Sequence, residues 1–325
     1  MLYPLKFKPI FKEKVWGGDK IKKYLGKDFS PLNNCGELWA LSAVENDESV
    51  VENGFLKGNK LSEVLEVYLD ELIGESLFEK FGTHFPVLIK FLNAADNLSV
   101  QVHPNDTLAG ERHQCPGKNE MWYIIDADAD SELVIGFQEG VDRALYEQKL
   151  NEGQIESILN RVKVDKGDVF NIPAGRVHAI GKGILLAEIQ QTSDITYRIY
   201  DWNRKDASGM SRQLHTKEAQ DAIDFKYHEN YYTNYNRMQN TSNAVLDTSY
   251  FSVNYLPLNS PMAFNLSKRD SFTAFVCAEG KADVVYQGNH TAMDAGEVVL
   301  IPACIYDFNV IPHVKTTLLE VFINA

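Results

Sequence analysis

Two distant stretches of the chain repeat one pattern of turn, strand and proline. In each, a glycine and an acidic residue precede a short apolar run that ends in Ile-Pro-Ala. The first stretch runs from Gly167 to His178, and the second from Gly296 to Asp307. A turn glycine before a short apolar strand is typical of antiparallel sheets, and its recurrence indicates a repeated β-architecture. The repeat therefore predicts a mainly β protein with two jelly-roll barrels.

Strand-like runs bounded by Gly, Pro and Asn recur along the chain, and three longer segments have helical spacing instead. The predicted strands include Leu98–His103, Met121–Ile125, Leu133–Phe137, Val169–Ile172, Leu185–Gln190, Thr273–Ala278 and Val298–Ile301. The predicted helices are Leu61–Phe81, Arg143–Val162 with a break near Gly153, and Thr216–Ile223. We expect these helices to be inserted in and around the N-terminal barrel and to cover its ends.

The length of 325 residues suits about two domains of ordinary size. We predict an N-terminal catalytic domain over residues 1–235 and a C-terminal barrel over residues 236–325, connected through a segment rich in Tyr, Asn and Thr. In the second repeat Asp307 takes the position of His178, and no Gln-x-His precedes it. The C-terminal domain is therefore predicted to have no metal site.

Composition and charge limit the partners and the cellular location that we expect for this chain. A hydrophobic content of 44% supports a buried core, and the net charge is −13 with no block of Lys and Arg. A nucleic-acid partner needs a basic face, so none is expected. No apolar stretch suits a signal peptide or a membrane span. The cysteines lack paired spacing, which indicates free thiols and a cytoplasmic location: Cys35, Cys115, Cys277 and Cys304.

Four residues are candidate metal ligands. Gln101 and His103 alternate with apolar residues in a predicted strand, so both point to the same face. Glu120 and His178 follow further along the chain. Two imidazoles, a carboxylate and an amide oxygen form a nitrogen and oxygen site for a divalent metal, with positions left for a further ligand.

Several short motifs, in this order, resemble those of the mannose-6-phosphate isomerases built on cupin barrels, in their shorter bacterial form. The similarity covers most of the chain, from Val15-Trp-Gly-Gly18 to the segment that ends at Asn203. The motifs are Gln101-x-His103-Pro104, Lys118-x-Glu120, Pro173-Ala-Gly-x-x-His178, Glu188-x-x-Gln191 and Arg198-x-x-Asp201-Trp202.

The resemblance implies an enzyme that interconverts mannose 6-phosphate and fructose 6-phosphate through a cis-enediol. It also implies one zinc ion per chain, and the ligand types leave manganese, cobalt and iron open. The expected partner is a small sugar phosphate, and the chain is expected to be a monomer or a weak homo-oligomer.

The resemblance assigns catalytic roles to three residues. Arg198 matches the family's active-site arginine, and it can bind phosphate or sugar oxygens and stabilise developing negative charge. Lys118 would stabilise an enediolate or transfer a proton. Glu188, a carboxylate in an apolar strand, is the candidate base. The alternative roles are a solvated lysine at the start of a strand for Lys118, a buried ion pair for Glu188, and a structural clamp to Asp201 or Asp194 for Arg198.

Two further residues are expected to bind substrate, and three are expected to form the scaffold. Lys90 stands at the family's position for a lysine near the substrate, and Ser99 shares the face of Gln101 and is expected near the phosphate. The residues expected to form scaffold or pocket rim are Trp16, Glu37 and Trp39.

Other functions stay open. Phosphate-binding loops, dinucleotide fingerprints and serine nucleophile motifs are absent from the sequence. The remaining alternatives are another metal-dependent cupin enzyme, either a different sugar-phosphate isomerase or a dioxygenase, and a non-catalytic sugar-binding protein with two cupin barrels. Gln101 stands where cupin dioxygenases commonly have a second imidazole, which favours a Lewis-acid role over a redox role.

Overall fold

Antiparallel strands dominate the structure, a computed structural model that describes residues 1–205 and 209–324. The strands of these residues are β1 (Leu5–Lys6), β2 (Ile10–Lys12), β3 (Glu37–Leu41), β4 (Val87–Ala94), β5 (Val100–Val102), β6 (Glu120–Ala127), β7 (Glu132–Phe137), β8 (Leu159–Lys163), β9 (Val169–Ile172), β10 (His178–Ile180), β11 (Ile184–Gln191), β12 (Tyr197–Tyr200), β13 (Asn243–Asp247), β14 (Ser252–Leu258), β15 (Met262–Asn265), β16 (Thr273–Glu279), β17 (Lys281–Tyr286), β18 (Asn289–Asp294), β19 (Val298–Ile301), β20 (Asp307–Pro312) and β21 (Thr316–Phe322). The prediction of a mainly β fold is confirmed.

The strands form two pairs of sheets. The first pair has the strand orders β2-β3-β4-β11-β6-β9 and β12-β5-β10-β7-β8. The second pair has the orders β1-β19-β16-β21-β14-β13 and β15-β20-β17-β18. Apolar side chains fill the space between the two sheets of each pair, with Trp122 and Ile135 in the first interior and Phe275 and Val310 in the second. Each pair is therefore a β-sandwich of the jelly-roll kind.

The two sandwiches pack back to back. Phe91 and Ala187 on the outer face of the first six-stranded sheet share one buried cluster with Val276 and Leu319 of the second. The N-terminal strand β1 pairs with β19 and so belongs to the second sandwich. Residues 223–242 contribute only an isolated bridge, Phe170 to Tyr232. The predicted boundary between residues 235 and 236 stays a prediction.

The helices lie mostly between strands of the first sandwich. No helix among the described residues is long and apolar enough to cross a bilayer. The helices are α1 (Lys20–Leu25), α2 (Leu61–Ile73), α3 (Glu75–Phe81), α4 (Asp106–His113), α5 (Arg143–Asn151) and α6 (Thr216–Ala222), with a short 3₁₀ turn over Ile155–Ile158.

The predicted helix Leu61–Phe81 is divided into α2 and α3, because Gly74 interrupts it at φ 102°, and α2 is itself kinked at Leu69, where φ is 47°. A Cβ on Gly74 would lie 2.5 Å from the carbonyl oxygen of Asp270, so only glycine fits. The Asp270 carboxylate then accepts hydrogen bonds from the N–H groups of Glu75 and Ser76, both at 2.8 Å. This contact caps α3 and joins it to the second sandwich.

The break near Gly153 in the predicted helix Arg143–Val162 is confirmed, but the part from Leu159 onward was wrongly predicted to be helical. Helix α5 ends at Asn151, and Gly153 has φ 67°. From Leu159 the chain forms strand β8, which pairs with β7 at the edge of the sheet. Pairing with the neighbouring strand overrides the helical spacing here.

Candidate active site

Three predicted site residues lie side by side on the five-stranded sheet of the first sandwich. Gln101 is the register partner of both His178 on β10 and Arg198 on β12. Directly opposed residues on neighbouring strands have their side chains on the same face of the sheet. The sheet therefore presents an imidazole, an amide and a guanidinium in one row.

The remaining ligand candidates are His103, which follows β5 of this sheet, and Glu120 on β6 of the facing sheet, and both side chains lie close to this row. The Nε2 atoms of His103 and His178 lie 3.5 Å and 3.3 Å from the two carboxylate oxygens of Glu120. All three side chains are buried, and their ligand atoms lie within 4.8 Å of one another. Gln101 is beside them, with its amide nitrogen 3.2 Å from His178 Nε2. A half-turn of the amide places its oxygen at that position, since amide orientation is assigned from the hydrogen-bond network.

Backbone carbonyls fix the orientation of both imidazoles. His103 Nδ1 donates to the carbonyl of Ile195, and His178 Nδ1 donates to the carbonyl of Arg176, each at 2.8 Å. In the neutral imidazole this leaves each Nε2 as an acceptor. Lys118 Nζ lies 3.1 Å from Nε2 of His103, and both Nε2 atoms lie within 3.5 Å of Glu120. Such outer hydrogen bonds are the usual support of metal-binding histidines.

The charge state of the cluster suits a cation. Burial lowers the pKa of His178 to about 4 and holds the pKa of His103 well below its usual range, so both rings are neutral. Burial raises the pKa of Glu120 to about 7, and the Lys118 ammonium opposes that shift. Both Glu120 oxygens are buried without a well-aligned hydrogen bond, although Lys118 Nζ is 2.9 Å from one of them. A buried carboxylate with unsatisfied oxygens, close to two imidazole nitrogens that are acceptors, fits a divalent metal.

A second buried group lies on the facing sheet. Glu188 on β11 is the register partner of Lys90 on β4 and of Trp122 on β6. Its carboxylate accepts a hydrogen bond from Trp122 Nε1 at 2.9 Å and lies 3.4 Å from Lys90 Nζ. Lys90 Nζ also donates to the Gln190 side-chain oxygen at 2.8 Å and lies 4.8 Å from the ring centroid of Trp39.

The charges of this group are coupled to those of the ligand cluster. Burial acts to raise the pKa of Glu188, but the charges of Lys118 and Lys90 and the Trp122 hydrogen bond outweigh it and lower the pKa. Burial likewise acts to lower the pKa of Lys118, but Glu120 and Glu188 raise it above its usual value. Glu188 is therefore ionised and Lys118 protonated at neutral pH.

Arg198 has a different environment from the two lysines. Its Nε donates to the Ser99 hydroxyl at 3.2 Å, and its Nη1 donates to the carbonyl of Gln213 at 2.8 Å. Asp201, considered above as a partner of Arg198, instead accepts two hydrogen bonds from Arg212. Within residues 1–205 and 209–324, Arg198 has no ion pair with a carboxylate. Burial and the nearby charge of Arg212 lower its pKa.

All nine predicted site residues lie at or beneath one cleft of about 570 Å³. Six of them line it, namely Lys90, Ser99, Gln101, Lys118, Glu188 and Arg198. His103, Glu120 and His178 lie beneath it in contact with Lys118 and Gln101. The expected rim residues Trp16, Glu37 and Trp39 also line the cleft.

Several lining residues were missed by sequence reasoning. They carry no motif, and they reach the cleft through the fold alone; they are Lys12, Lys14, His113, Arg212 and His215. In the second sandwich, Asp307 is exposed and accepts a hydrogen bond from Asn265 at 2.6 Å. The absence of a metal site there stays a prediction.

Comparisons with known proteins show the family to which the chain belongs. Residues 4–145 match the family described as phosphomannose isomerase type I, catalytic domain. Mannose-6-phosphate isomerase ManA of Bacillus subtilis is 38% identical over 306 residues, which cover 90% of this chain and 93% of that protein. The mannose-6-phosphate isomerase of Streptococcus mutans is 39% identical over 259 residues, or 78% of each chain.

Solved structures give the same result. The crystal structure of the mannose 6-phosphate isomerase from Bacillus subtilis superposes with a TM-score of 0.87 at 32% identity, covering 98% of this chain and 99% of that one. A structure from Archaeoglobus fulgidus, titled a putative mannosephosphate isomerase, has a TM-score of 0.79 at 21% identity over 100% and 99% of the chains, and it supports the fold alone. The cupin-type fold is confirmed, and the chain belongs to the type I phosphomannose isomerase family of enzymes.

Proposed function

We propose that this protein is a metal-dependent aldose–ketose isomerase that interconverts mannose 6-phosphate and fructose 6-phosphate through a cis-enediol. The observation that carries the proposal is the buried cluster of His103, Glu120 and His178, placed beneath a cleft that also contains Arg198, Lys118 and Glu188. Curated relatives that align with most of this chain are named as isomerases of mannose 6-phosphate.

The metal would be held by His103, Glu120, His178 and the amide oxygen of Gln101. A divalent ion there supplies Lewis-acid polarisation of the carbonyl at the reacting carbons. Zinc is our proposed metal, because two imidazoles with one carboxylate and one amide are borderline ligands that suit it. Gln101 supplies an amide at the position where a redox metal site would have a further imidazole, which favours a Lewis-acid metal over a redox metal.

Glu188 is the proposed base. Isomerisation moves one proton between C1 and C2, so the base must be ionised at neutral pH and must face the sugar. The lowered pKa of Glu188 meets the first condition, and its place in the lining of the cleft meets the second. Its hydrogen bond from Trp122 holds the carboxylate in one orientation.

Lys118 and Arg198 are the proposed stabilisers of negative charge. The raised pKa of Lys118 keeps it protonated, which favours an electrostatic role over proton transfer. Arg198 lies beside Gln101 in the sheet and has no carboxylate partner in the described part of the chain. Its charge is therefore available to an enediolate or to other anionic oxygens of the substrate. Lys90 and Ser99 complete the proposed substrate contacts.

The direct experiment is to incubate metal-loaded protein with mannose 6-phosphate and to follow fructose 6-phosphate. A chelator should abolish the conversion, and added zinc should restore it. Oxygen consumption is measured in parallel, because a dioxygenase would consume oxygen and an isomerase would not. Binding of the sugar phosphate without conversion, in protein whose metal is verified, would instead support the non-catalytic alternative.

A further inference from the structure

Asn119 stands between two residues of the site, Lys118 and Glu120, but it is not among the residues that line the cleft. Its Nδ2 donates to the side-chain oxygen of Gln191 at 2.7 Å, and its Oδ1 accepts a hydrogen bond from the N–H of Ala174 at 3.0 Å. Gln191 is the last residue of β11, and Ala174 lies in the turn between β9 and β10. One amide side chain therefore connects the start of β6 with two other elements that carry site residues.

The backbone just before this asparagine is fixed to the segment that follows His103. The N–H of Lys118 donates to the Pro104 carbonyl at 3.1 Å, and the N–H of Gly117 donates to the Asp106 carboxylate at 2.8 Å. A Cβ on Gly117 would lie 2.6 Å from backbone atoms of this segment, so only glycine allows the close approach. Lys118 is therefore held against the part of the chain that carries His103.

Gln191 completes the arrangement from β11. Its side-chain oxygen also accepts a hydrogen bond from the N–H of Asn119 at 2.9 Å, and its own N–H donates to the Asn119 carbonyl at 3.1 Å. Its Nε2 donates to the Asp106 carboxylate at 3.1 Å. Gln191 is buried, so these hydrogen bonds are stronger than they would be in water, and losing a partner would be costly.

Tyr250 reaches the same residues from the second sandwich, in the loop between β13 and β14. Together with Gln191 it lines a cavity of about 710 Å³. Burial raises the pKa of the Tyr250 hydroxyl, the Asp106 carboxylate raises it further, and the side chain of Asn119 opposes the shift. The hydroxyl therefore lies beside Asp106 and Asn119 and links the second sandwich to them.

We propose that Asn119 is a positioning residue that holds Glu120 and Lys118 at fixed distances from the two imidazoles, and that Tyr250 supports it from the second sandwich. The inference rests on the proposed function, because it assumes a metal bound at Glu120. Asn119 and Tyr250 act through their neighbours, since neither lines the cleft. The second sandwich thereby contributes to the reaction, although it is itself predicted to have no metal site.

Position is important here because Glu120 has three partners at once. Its oxygens lie 3.5 Å and 3.3 Å from the Nε2 atoms of His103 and His178, and 2.9 Å from Lys118 Nζ. A shift at the start of β6 would change these three distances together. Removing a group that orients metal ligands typically costs about 10- to 100-fold in metal affinity or activity.

The test compares Asn119→Ala with the unmodified protein, and Asn53→Ala is the matched control. Asn53 is also half-buried, and its amide also bridges two parts of the chain, accepting from the N–H of Lys6 and donating to the Pro4 carbonyl, each at 2.9 Å. Asn119→Ala should raise the dissociation constant for cobalt about tenfold or more. Asn53→Ala should leave it unchanged.

Two further measurements separate positioning from stability. The absorption spectrum of bound cobalt depends on ligand geometry, so Asn119→Ala should change it and Asn53→Ala should not. With mannose 6-phosphate, kcat of Asn119→Ala should fall about 10- to 100-fold, with KM changed much less, because the displaced groups act on charge that develops in the transition state. A folded Asn119→Ala protein with a lower melting temperature but normal cobalt affinity, cobalt spectrum and kcat would contradict the inference.

Tyr250→Phe removes a single hydroxyl, so it decides the question even if Asn119→Ala does not fold. It should weaken cobalt binding and change the cobalt spectrum in the same direction as Asn119→Ala, but less. Tyr235→Phe is its control, because the Tyr235 hydroxyl donates to the carbonyl of Gly167 instead. Cobalt affinity and spectrum that are the same in Tyr250→Phe, Tyr235→Phe and the unmodified protein would overturn the inference.

Failure of the proposed reaction is distinguishable from failure of the positioning role. If the protein does not isomerise mannose 6-phosphate but both Asn119→Ala and Tyr250→Phe weaken cobalt binding and change the spectrum, the reaction is wrong and the positioning role stands. If the protein isomerises the sugar and both variants bind cobalt and turn over normally, the positioning role is wrong and the reaction stands.

Discussion

Lys90 and Glu188 face each other on the adjacent strands β4 and β11, with Nζ 3.4 Å from Oε1 and both side chains buried. Neither residue is exposed enough for water to replace its partner. Because of this ion pair, the pKa of Glu188, the proposed base, depends on the charge of Lys90. Removing Lys90 should therefore change the pH dependence of the rate.

We predict that Lys90→Met shifts the acidic limb of the pH–rate profile to higher pH. The charge of Lys90 is one of the causes that lower the pKa of Glu188, so its loss raises that pKa. A base with a higher pKa becomes protonated at a higher pH, and activity falls sooner as the solution is acidified. The profiles of kcat/KM between pH 4 and 8 are measured for the variant and for the unmodified protein. Their acidic limbs should differ by about 1 pH unit at most.

The same variant should be less stable by about 3 kcal/mol, because it leaves a buried carboxylate with one cation fewer. Chemical denaturation at pH 7 measures this difference.

An unchanged acidic limb in a folded Lys90→Met variant would mean that Glu188 is not the group whose ionisation limits the rate.

Metal binding should depend on His178 and not on its counterpart in the second sandwich. His178→Ala removes a buried nitrogen that lies 3.3 Å from Glu120, so the purified variant should contain far less than one ion per chain. Asp307→Ala is the matched control, since Asp307 occupies the equivalent place in the repeat and is exposed. Elemental analysis of both purified variants measures the number of metal ions bound per chain. Loss of a stoichiometric ion from the Asp307 variant would contradict the assignment of one metal site to the first sandwich.

Gly74→Ala should destabilise the protein by about 1–3 kcal/mol, the usual cost of a strained backbone position. Its φ is 102°, and the new Cβ would approach the Asp270 backbone. Gly110→Ala is the control, because Gly110 lies within helix α4 with nothing within 4 Å of a new Cβ. That change should stabilise the protein by up to about 1 kcal/mol. Thermal or urea unfolding of the two variants should therefore move in opposite directions.

Local patterns predicted the elements better than the contacts between them. Alternation around Gln101 placed a strand correctly, and the repeat ending at His178 predicted the second sandwich. The break at Gly74 depends on Asp270, which is distant in sequence, so helical spacing could not predict it. The pairing of Arg212 with Asp201 was missed for a related reason: the sequence between them has no periodicity, and only the folded chain brings the two charges together.

Arg198 distinguishes a role in catalysis from a role in folding. If its guanidinium stabilises charge that develops during enediol formation, Arg198→Ala should lower kcat by about 10²–10³-fold and change KM much less. Arg198→Lys keeps the charge but loses the planar group that contacts Ser99 and Gln213, so it should recover only part of the rate. Metal content should stay unchanged, because arginine is not among the ligand candidates. Turnover, KM, bound metal and melting temperature are measured for both variants. Near-normal turnover of Arg198→Ala, or a loss that follows its unfolding, would show that Arg198 supports the loop at Gln213 and takes no part in the reaction.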